Sequence, residues 1–559
     1  MKVPGGHERG RRRVGGDAAA AARPVQSGVV AGRADSAGAG AVQASLRKGL
    51  IDVPPSPPKK PATAVAARLV AAPFDSFMKL RRFEVDVARP GVAKVETVTL
   101  DVLSGPGHNC SMAAALVLDG KGRPSVVLKA GDTRAARTLR GEPYVKIGMI
   151  GGRWDKVGAD AKKIGLDEIA EEIGAELIQG GYLPLGDKLV PTMPGESTEA
   201  DRYFAALVRI PENGGAVDGD GGGMEVPGLM KPVTMPVAEA LAAMDDGRVG
   251  EGARARVAYA RAFDAIGWIP QLASYVHDLP GSLKKRFDTL GLAPAIDPRH
   301  LPTEIQAADP AAQAQGHGGA PGQGIDPHAG QIDAVAFTAE QRLELPGGAA
   351  MIDAKTVHVA HDGGVVHQVG KPFQNQILHL PYDRAKLAVY YLDPVQGPMV
   401  RMDQVERPVL AVKGLALDGE RSYKLENTEL VRRDVPELQI QLEGAQAGAA
   451  LAAVLTGVKA GLTAAGITGA PVPLGAPVDA SPGQTDLRYH FYGVTVAVPA
   501  EAAERARFVP LSDAIALCRQ GEGDAATEAL LLRLADAAGW VPSLRMSLAT
   551  AEKLLKHPF

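Results

Sequence analysis

The chain has 559 residues, enough for two or more domains, and its formal net charge of −3 predicts no nucleic-acid partner. Its two cysteines, Cys110 and Cys518, lie far apart, so they indicate neither a disulfide framework nor a zinc site. The sequence has no run of about 18 apolar residues, which predicts no membrane span. The arginines at 11–13 are not followed by an apolar stretch, so no secretory signal is predicted and a reducing cytoplasm is expected.

Residues 1–62 are rich in Ala, Gly and Pro and end in a proline-rich run, a composition that predicts a disordered tail. The arginines in this tail favour a solubilising segment, and the alternative is a contact with nucleic acid or with an acidic partner. After the tail we expect a first α/β block over 75–295, a Gly- and Pro-rich linker over 296–332 and a second block over 335–559.

The first block opens with strand-like patterns. Segments 83–87 and 92–102 alternate apolar and polar residues, and the apolar runs 111–119 and 124–129 flank a turn that predicts a hairpin. Segment 144–150 then predicts a strand that ends at a glycine pair. Further along, the sequence predicts a strand at 203–210 and a helix over 252–267.

A helix that carries three glutamates is predicted directly after the glycine pair. Glu168, Glu171 and Glu172 have the spacing i, i+3 and i+4, so they share one helical face. Apolar residues give the helix a second face, and Gly174 predicts its C-terminal cap. Crowded carboxylates favour a hard cation such as Mg²⁺ or Mn²⁺, because these ions take oxygen ligands. The alternative is a solvated acidic face.

Residues 151–174 resemble the Nudix box of pyrophosphate hydrolases. The core of the box, Glu-U-x-Glu-Glu-x-Gly with U an apolar residue, is present over 168–174. Asp167 stands where the box has Arg, and Gly158 or Ala159 stands where it has its first Glu. The part of the box that binds metal is therefore kept, whereas the part that supports it is replaced.

A second likeness lies after this helix, in the loop Pro-Gly-Glu-Ser-Thr-Glu at 194–199. It resembles the loop that carries an acidic general base in ADP-ribose pyrophosphatases, a branch of the Nudix hydrolases. The resemblance implies that Glu196 or Glu199 takes this role. A guanidinium pairs well with phosphate, which makes nearby arginines candidates for substrate contacts. The candidate substrate-binding residues are Gly152, Arg134, Arg137 and Arg140.

The second block echoes the first in the same order. Loop 194–199 is echoed at 481–486, and the Gly-Trp-apolar-Pro pattern at 267–270 returns at 539–542. The segment that corresponds to the acidic helix, 451–467, contains no carboxylate and so predicts no Mg²⁺ site. The sequence therefore predicts two tandem Nudix-like domains, each an α/β/α sandwich around a mixed sheet, of which the second is catalytically silent.

The resemblance implies a Mg²⁺- or Mn²⁺-dependent hydrolase of nucleoside diphosphate compounds, such as ADP-ribose, which yields AMP and ribose 5-phosphate. Glu168, Glu171 and Glu172 would hold the metal ion, which neutralises the pyrophosphate and activates a water. Many family members are homodimers, so we expect the second block to act as the partner of the first within the same chain. The protein would then be monomeric.

Two other hypotheses remain open. The first is a non-catalytic sensor that binds ADP-ribose or a related nucleotide, which the replaced positions of the box favour. The second is an interaction scaffold, which is supported only by the arginine-bearing tail.

Overall fold

The computed structural model describes most of the chain, and Val42–Phe559 forms one compact unit. The predicted base Glu196 and residues 158–159 lie outside the described part, as do 1–43 and 302–331. The described residues are 44–46, 62–75, 79–104, 109–138, 140, 145–154, 160–193, 197, 199–211, 230–288, 294–301, 332–337, 340–344, 350–354, 357–361, 365–369, 376–380, 382–407, 409, 412, 422–442, 447–481 and 484–556.

The elements of the N-terminal half are β1 (Ala44–Leu46), β2 (Thr63–Asp75), β3 (Lys79–Ala88), β4 (Glu96–Ser104), β5 (Asn109–Leu118), β6 (Pro124–Thr133), α1 (Ala135–Thr138), β7 (Val145–Gly148), β8 (Ile150–Arg153), α2 (Ala161–Ile173), β9 (Glu176–Pro184), β10 (Val190–Pro191), β11 (Ala200–Arg209), β12 (Lys231–Pro236), α3 (Val237–Asp245), α4 (Gly252–Ile266), β13 (Trp268–Ile269), β14 (Ser274–Tyr275) and α5 (Gly281–Asp288).

The elements of the C-terminal half are β15 (Ile332–Phe337), β16 (Glu340–Glu344), β17 (Ala350–Ala354), β18 (Val357–His361), β19 (Val365–Val369), β20 (Gln376–His379), β21 (Tyr382–Asp393), β22 (Gly397–Arg401), β23 (Asp403–Glu406), β24 (Ser422–Glu429), β25 (Val431–Asp434), β26 (Glu437–Gln441), α6 (Ala447–Ala464), β27 (Pro471–Pro473), β28 (Val478–Asp479), β29 (Arg488–Thr495), α7 (Ala502–Arg505), β30 (Phe508–Pro510), α8 (Leu511–Arg519), α9 (Ala525–Ala537), β31 (Trp540–Val541), β32 (Met546–Ser547) and α10 (Leu548–Lys556). Short 3₁₀ helices occupy Pro270–Leu272, Val276–Asp278, Pro298–His300 and Pro542–Leu544.

The first block is built on a mixed sheet with the order β10-β11-β5-β6-β12. In it, β5 pairs in parallel with β11 and antiparallel with β6 and β8. The predicted hairpin is confirmed, because β5 and β6 are joined by a tight turn in which Gly122 has a φ of +73°. The chain is therefore a mixed α/β protein, in which parallel and antiparallel pairs share one sheet.

The strand predicted at 144–150 is confirmed in part, because its described residues form strand, but in two short strands with different partners. β7 pairs with β6, whereas β8 pairs with β5. The glycine pair lies inside β8 instead of ending a strand. A Cβ at Gly151 would approach the backbone oxygen of Ser111 to 2.7 Å, so glycine permits the close contact of β8 with β5 at this point.

Helices cover both faces of the first sheet. On one face, Ile169 and Ile173 of α2 are buried against strands β5 and β11, where Phe204 lies. On the other face α4 buries its own apolar side, which includes Phe263. The predicted helix 252–267 is confirmed as α4, which Gly267 caps with a φ of 69°.

The second sheet repeats the pairing of the first. β21 pairs in parallel with β29 and antiparallel with β22 and β26, as β5 does with β11, β6 and β8. Helix α6 follows β26 as α2 follows β8, and it packs Val454 and Val458 against Leu438 and Ile440. The repeat read from the sequence thus corresponds to two sheets with the same connectivity.

A four-stranded antiparallel sheet connects the N-terminal segment to the second block. Its order is β24-β2-β3-β4, and β24 lies between β23 and β25 in the sequence of the second block. Within the tail predicted to be disordered, β1 pairs with β26, so that prediction is wrong for Ala44–Leu46. In the predicted linker, Pro298–His300 forms a 3₁₀ helix.

Both cysteines are buried as free thiols, Cys110 in β5 and Cys518 in α8. One apolar core runs from the first block into the second and includes residues of both α4 and α9. Across the described ranges, no helix is both long and apolar enough to cross a membrane.

Candidate functional site

Helix α2 holds its acidic residues beside β8. At its N-terminus, Asp160 accepts hydrogen bonds from the backbone N–H groups of Lys162 and Lys163 at 3.0 and 3.2 Å. At its C-terminus, Gly174 adopts the left-handed conformation with a φ of 59°, which confirms the predicted cap. These caps and the apolar contacts with the sheet fix the rotation of the helix.

The three glutamates of α2 lie in different surroundings. Glu171 is exposed and Glu168 is half-buried, whereas only 5% of the Glu172 side chain is accessible. Gly152 lies so close to Glu168 that a Cβ at this position would overlap the carboxylate. A side chain at position 152 would therefore force Glu168 to move, and Gly152 and Glu168 are brought together.

Both carboxylate oxygens of Glu172 have partners inside the protein. Lys129 of β6 forms an ion pair with Oε1 through Nζ, and the Gly151 N–H donates to Oε2 at 3.1 Å. Burial alone would lower the pKa of Lys129, but the charges of Glu172 and Asp132 outweigh it and raise this pKa. At neutral pH Lys129 is thus an ammonium, and it forms a buried ion pair with Glu172.

The three predicted ligands do not converge on one point in this arrangement. Glu171 is exposed, while Glu172 turns towards Lys129, so a divalent ion at Glu172 would compete with an ammonium. Among the described residues, two other trios have ligand atoms within 4.8 Å of one another and could hold a metal ion. They are Cys110, Glu199 and Asp201, and Asp434, Glu437 and Asp524.

The first trio lies where loop 194–199 meets the sheet. Arg254 of α4 forms an ion pair with Glu199, and its Nε lies 3.1 Å from Asp201 Oδ2. Burial alone would raise the pKa of Glu199, but the charges of Arg254 and Arg153, with the hydrogen bond from Ser481, outweigh it and lower this pKa. The Cys110 thiol, whose pKa burial raises, lies 3.6 Å from Glu199. A buried carboxylate held in this way is a weak proton acceptor, so the geometry does not favour Glu199 as a general base.

Asp201 differs from Glu199 in the direction of its pKa shift, because burial outweighs the effect of Arg254 at Asp201. Burial raises the pKa of Asp201 to about 7; Arg254 opposes this effect and the charge of Glu199 adds to it. Tyr203 donates its hydroxyl hydrogen bond to Asp201 Oδ2 at 2.9 Å. Asp201 therefore exchanges a proton near neutral pH while Glu199 stays ionised.

The second trio surrounds Lys386, which is buried in the second sheet. The Lys386 Nζ lies 2.8 Å from Asp524, 3.1 Å from Asp434 and 3.3 Å from Glu437. Burial alone would lower the pKa of Lys386, but these carboxylates outweigh it and raise this pKa. Arg407 forms a further ion pair with Asp434. Each trio thus already contains a cationic side chain.

The three arginines predicted to bind phosphate are paired with carboxylates instead. Arg137 has a fully buried side chain and lies 2.6 Å from Asp132 and 3.2 Å from Asp479 of the second block. Arg134 lies 3.0 Å from the same Asp132. Arg140 is also paired, so the described conformation gives all three a structural role and does not support the predicted substrate contact.

The two echoed loops meet at the boundary between the blocks. Ser481 donates to Glu199 Oε2 at 3.2 Å, and Ser197 donates to Gln484 at 3.3 Å. Arg140 reaches across the same boundary and lies 3.0 Å from Asp486. The described part of loop 194–199 therefore joins the two blocks.

Sequence reasoning missed the cations that bind these carboxylates. Lys129 ends the apolar run 124–129, and Lys386 lies between two buried apolar residues of β21. A lysine inside an apolar strand is a usable signal, because a buried charge needs a partner. Arg254 gave a weaker signal, since it alternates with alanines at the start of α4.

Comparison with protein-family models and with curated proteins finds no match for this chain. The likeness to Nudix hydrolases therefore rests on residues 168–174, on loop 194–199 and on the internal repeat. Of the predicted site residues, the structure brings Gly152, Glu168 and Glu172 together where β8 meets α2.

Proposed function

We propose that the first block binds a nucleoside diphosphate compound such as ADP-ribose without hydrolysing it, as a sensor or binding module. The observation that carries this proposal is the ion pair between Lys129 and Glu172, because an internal ammonium already occupies the carboxylate that a metal ion would need. The replaced position Asp167 supports it too, since its side chain pairs with Lys163 on the helix surface.

The physical chemistry of pyrophosphates separates binding from hydrolysis at such a site. A divalent ion neutralises the phosphates and also lowers the pKa of a bound water, which creates the nucleophile. An ammonium contributes positive charge and hydrogen-bond donors, but it does not activate water in that way. A site in which Lys129 holds Glu172 has one fewer carboxylate with which to hold an ion that activates water.

In this proposal the second block is the partner of the first within one chain. The supporting contacts cross the boundary between the blocks. Arg261 of α4 and Glu528 of α9 are both buried and lie 2.6 Å apart. Arg533 of α9 lies 2.9 Å from Asp245 of α3. We expect the chain to be monomeric in solution.

A Mg²⁺- or Mn²⁺-dependent hydrolase is the second candidate, and one observation favours it. Glu168 and Glu171 lie one helical turn apart, outside the pair that Lys129 forms, and Glu168 touches Gly152. These two carboxylates would hold the ion, which would supply charge neutralisation and an activated water. With Glu199 paired to Arg254, Glu196 is the remaining candidate for the base.

One experiment separates these functions. The purified full-length chain is mixed with ADP-ribose and related dinucleotides in the presence of Mg²⁺ or Mn²⁺. AMP release is then measured by chromatography, and binding is measured by calorimetry. Binding without metal-dependent AMP release supports the binding module, whereas metal-dependent release supports the hydrolase. If neither occurs with any compound, both proposals fail and the scaffold hypothesis is left.

A further inference from the structure

We infer that Lys129 acts as a built-in counter-ion that keeps divalent cations away from Glu172. The inference rests on the proposed function for its ligand, a nucleoside diphosphate compound. If Lys129 takes the place of a metal ion at Glu172, this ligand binds without a metal ion. The contact between Lys129 and Glu172 is independent of that ligand, so it can be tested with a metal ion alone. This assigns Lys129 a role in selecting which cation occupies the acidic face of α2.

The backbone fixes Lys129 in place. It lies inside β6, where it pairs with Pro232 of β12 on one side and with Gly148 of β7 on the other. Only 5% of its side chain is accessible, as is the case for Glu172. A flexible surface lysine could swing into solvent when a metal ion arrives. Lys129 would have to leave its carboxylate while it stays buried in the sheet.

The second oxygen of Glu172 is held as well. The Gly151 N–H donates to Oε2 at 3.1 Å, from a glycine that is packed tightly against β5. A metal ion that binds both oxygens of Glu172 would therefore compete with two contacts. Breaking a buried ion pair leaves a buried charge without its counter-ion, and we expect this cost to weaken binding of a divalent ion at Glu172 by about 100-fold.

A similar arrangement occurs at the two buried acidic trios of the described structure. Lys386 lies among Asp434, Glu437 and Asp524, and Arg254 joins Glu199 to Asp201. In every case the cation comes from a strand or helix of the packed core. Buried carboxylates are therefore neutralised from within the protein in both blocks, and Lys129 of β6 is the cation that neutralises a carboxylate of the acidic helix.

The test uses Mn²⁺ as the probe and the full-length chain. Free Mn²⁺ is followed by electron paramagnetic resonance during titration of the natural protein, Lys129→Met and Lys163→Met. Lys163 is a matched control, because it is an exposed lysine on α2 that pairs with Asp167. We expect at least tenfold tighter Mn²⁺ binding in Lys129→Met, no such change in Lys163→Met, and loss of the gain when Glu172→Gln is added.

Equal Mn²⁺ affinity of the natural chain and a folded Lys129→Met variant would overturn the inference. If that variant does not fold, the natural chain provides the test through lysine acetylation read by mass spectrometry. We expect Lys129 to stay protected relative to Lys163 with and without Mn²⁺. Faster acetylation of Lys129 on addition of Mn²⁺ would show that the metal ion displaces it. Failure of ADP-ribose to bind would refute the proposed function and leave this result unaffected.

Discussion

Asp201 is expected to make the protein less stable as the pH rises towards neutrality. In the unfolded chain this carboxyl loses its proton near the usual pKa of 3.8, whereas in the folded protein it does so near 7. Between these values the folded state binds the additional proton. The favourable contribution is therefore complete below pH 3.8 and is lost progressively as the pH approaches 7.

The size of this effect follows from the two pKa values. For one proton with pKa values of 3.8 and about 7, the free energy of unfolding falls by about 2.5 kcal/mol between pH 5 and pH 7.5. Asp201→Asn keeps the shape of the protonated acid and cannot ionise. The variant should therefore gain about 2.5 kcal/mol relative to the natural protein over the same interval.

The assay is urea unfolding of both proteins at the two pH values, followed by tryptophan fluorescence. Other titrating groups cancel when the two proteins are compared at each pH. A difference in stability that is the same at pH 5 and pH 7.5 would refute the assignment of a neutral-range proton to Asp201. A variant that becomes relatively less stable as the pH rises would contradict the sign.

Three further substitutions test the packing around the site by urea unfolding. Glu172→Gln leaves the ammonium of Lys129 buried without its counter-ion and is expected to cost about 3–5 kcal/mol. Gly165→Ala would gain about 1 kcal/mol in an ordinary helix, but here it should destabilise, because the Cβ would overlap the ring of Phe204. Arg140→Met removes a partly buried ion pair between the blocks and should cost about 2 kcal/mol.

Exposed positions on the same helix provide the controls. Glu171→Gln should change the free energy of unfolding by less than about 0.5 kcal/mol. Ala170→Gly should lower the free energy of unfolding by about 1 kcal/mol, which is the usual difference in helix propensity between alanine and glycine. If Glu171→Gln were as harmful as Glu172→Gln, the buried environment assigned to Glu172 would be wrong. A stabilising Gly165→Ala would contradict the contact of α2 with β11.

The features of the fold that were predicted correctly depend on short, local stretches of sequence. Three predicted features depend on a glycine with a positive φ, and the residues next to that glycine in the sequence were enough to predict each one. They are the turn at 119–122, the cap at Gly174 and the helix that ends before Gly267. The order of the repeated motifs also predicted the repeat, which the structure contains as two sheets of the same connectivity.

The pairing of strands within the sheet could not be predicted from such local signals. Segment 144–150 is apolar throughout most of its length, and nothing local indicates that β7 joins β6 while β8 joins β5. The state of Glu172 depends on Lys129, which is distant in the sequence and near only because β6 lies in the same sheet as β8. The spacing of the glutamates gave their common face correctly, but not their separate surroundings.

The central claim is that the first block holds an intact nucleoside diphosphate compound without a metal ion. Its most direct test is calorimetric titration of the full-length chain with ADP-ribose in excess EDTA, followed by chromatography of the recovered nucleotide. We predict saturable binding with one ADP-ribose per chain and full recovery of the ligand, unchanged when Mg²⁺ replaces EDTA. Binding that requires Mg²⁺, or recovery of AMP when Mg²⁺ is present, would contradict the account.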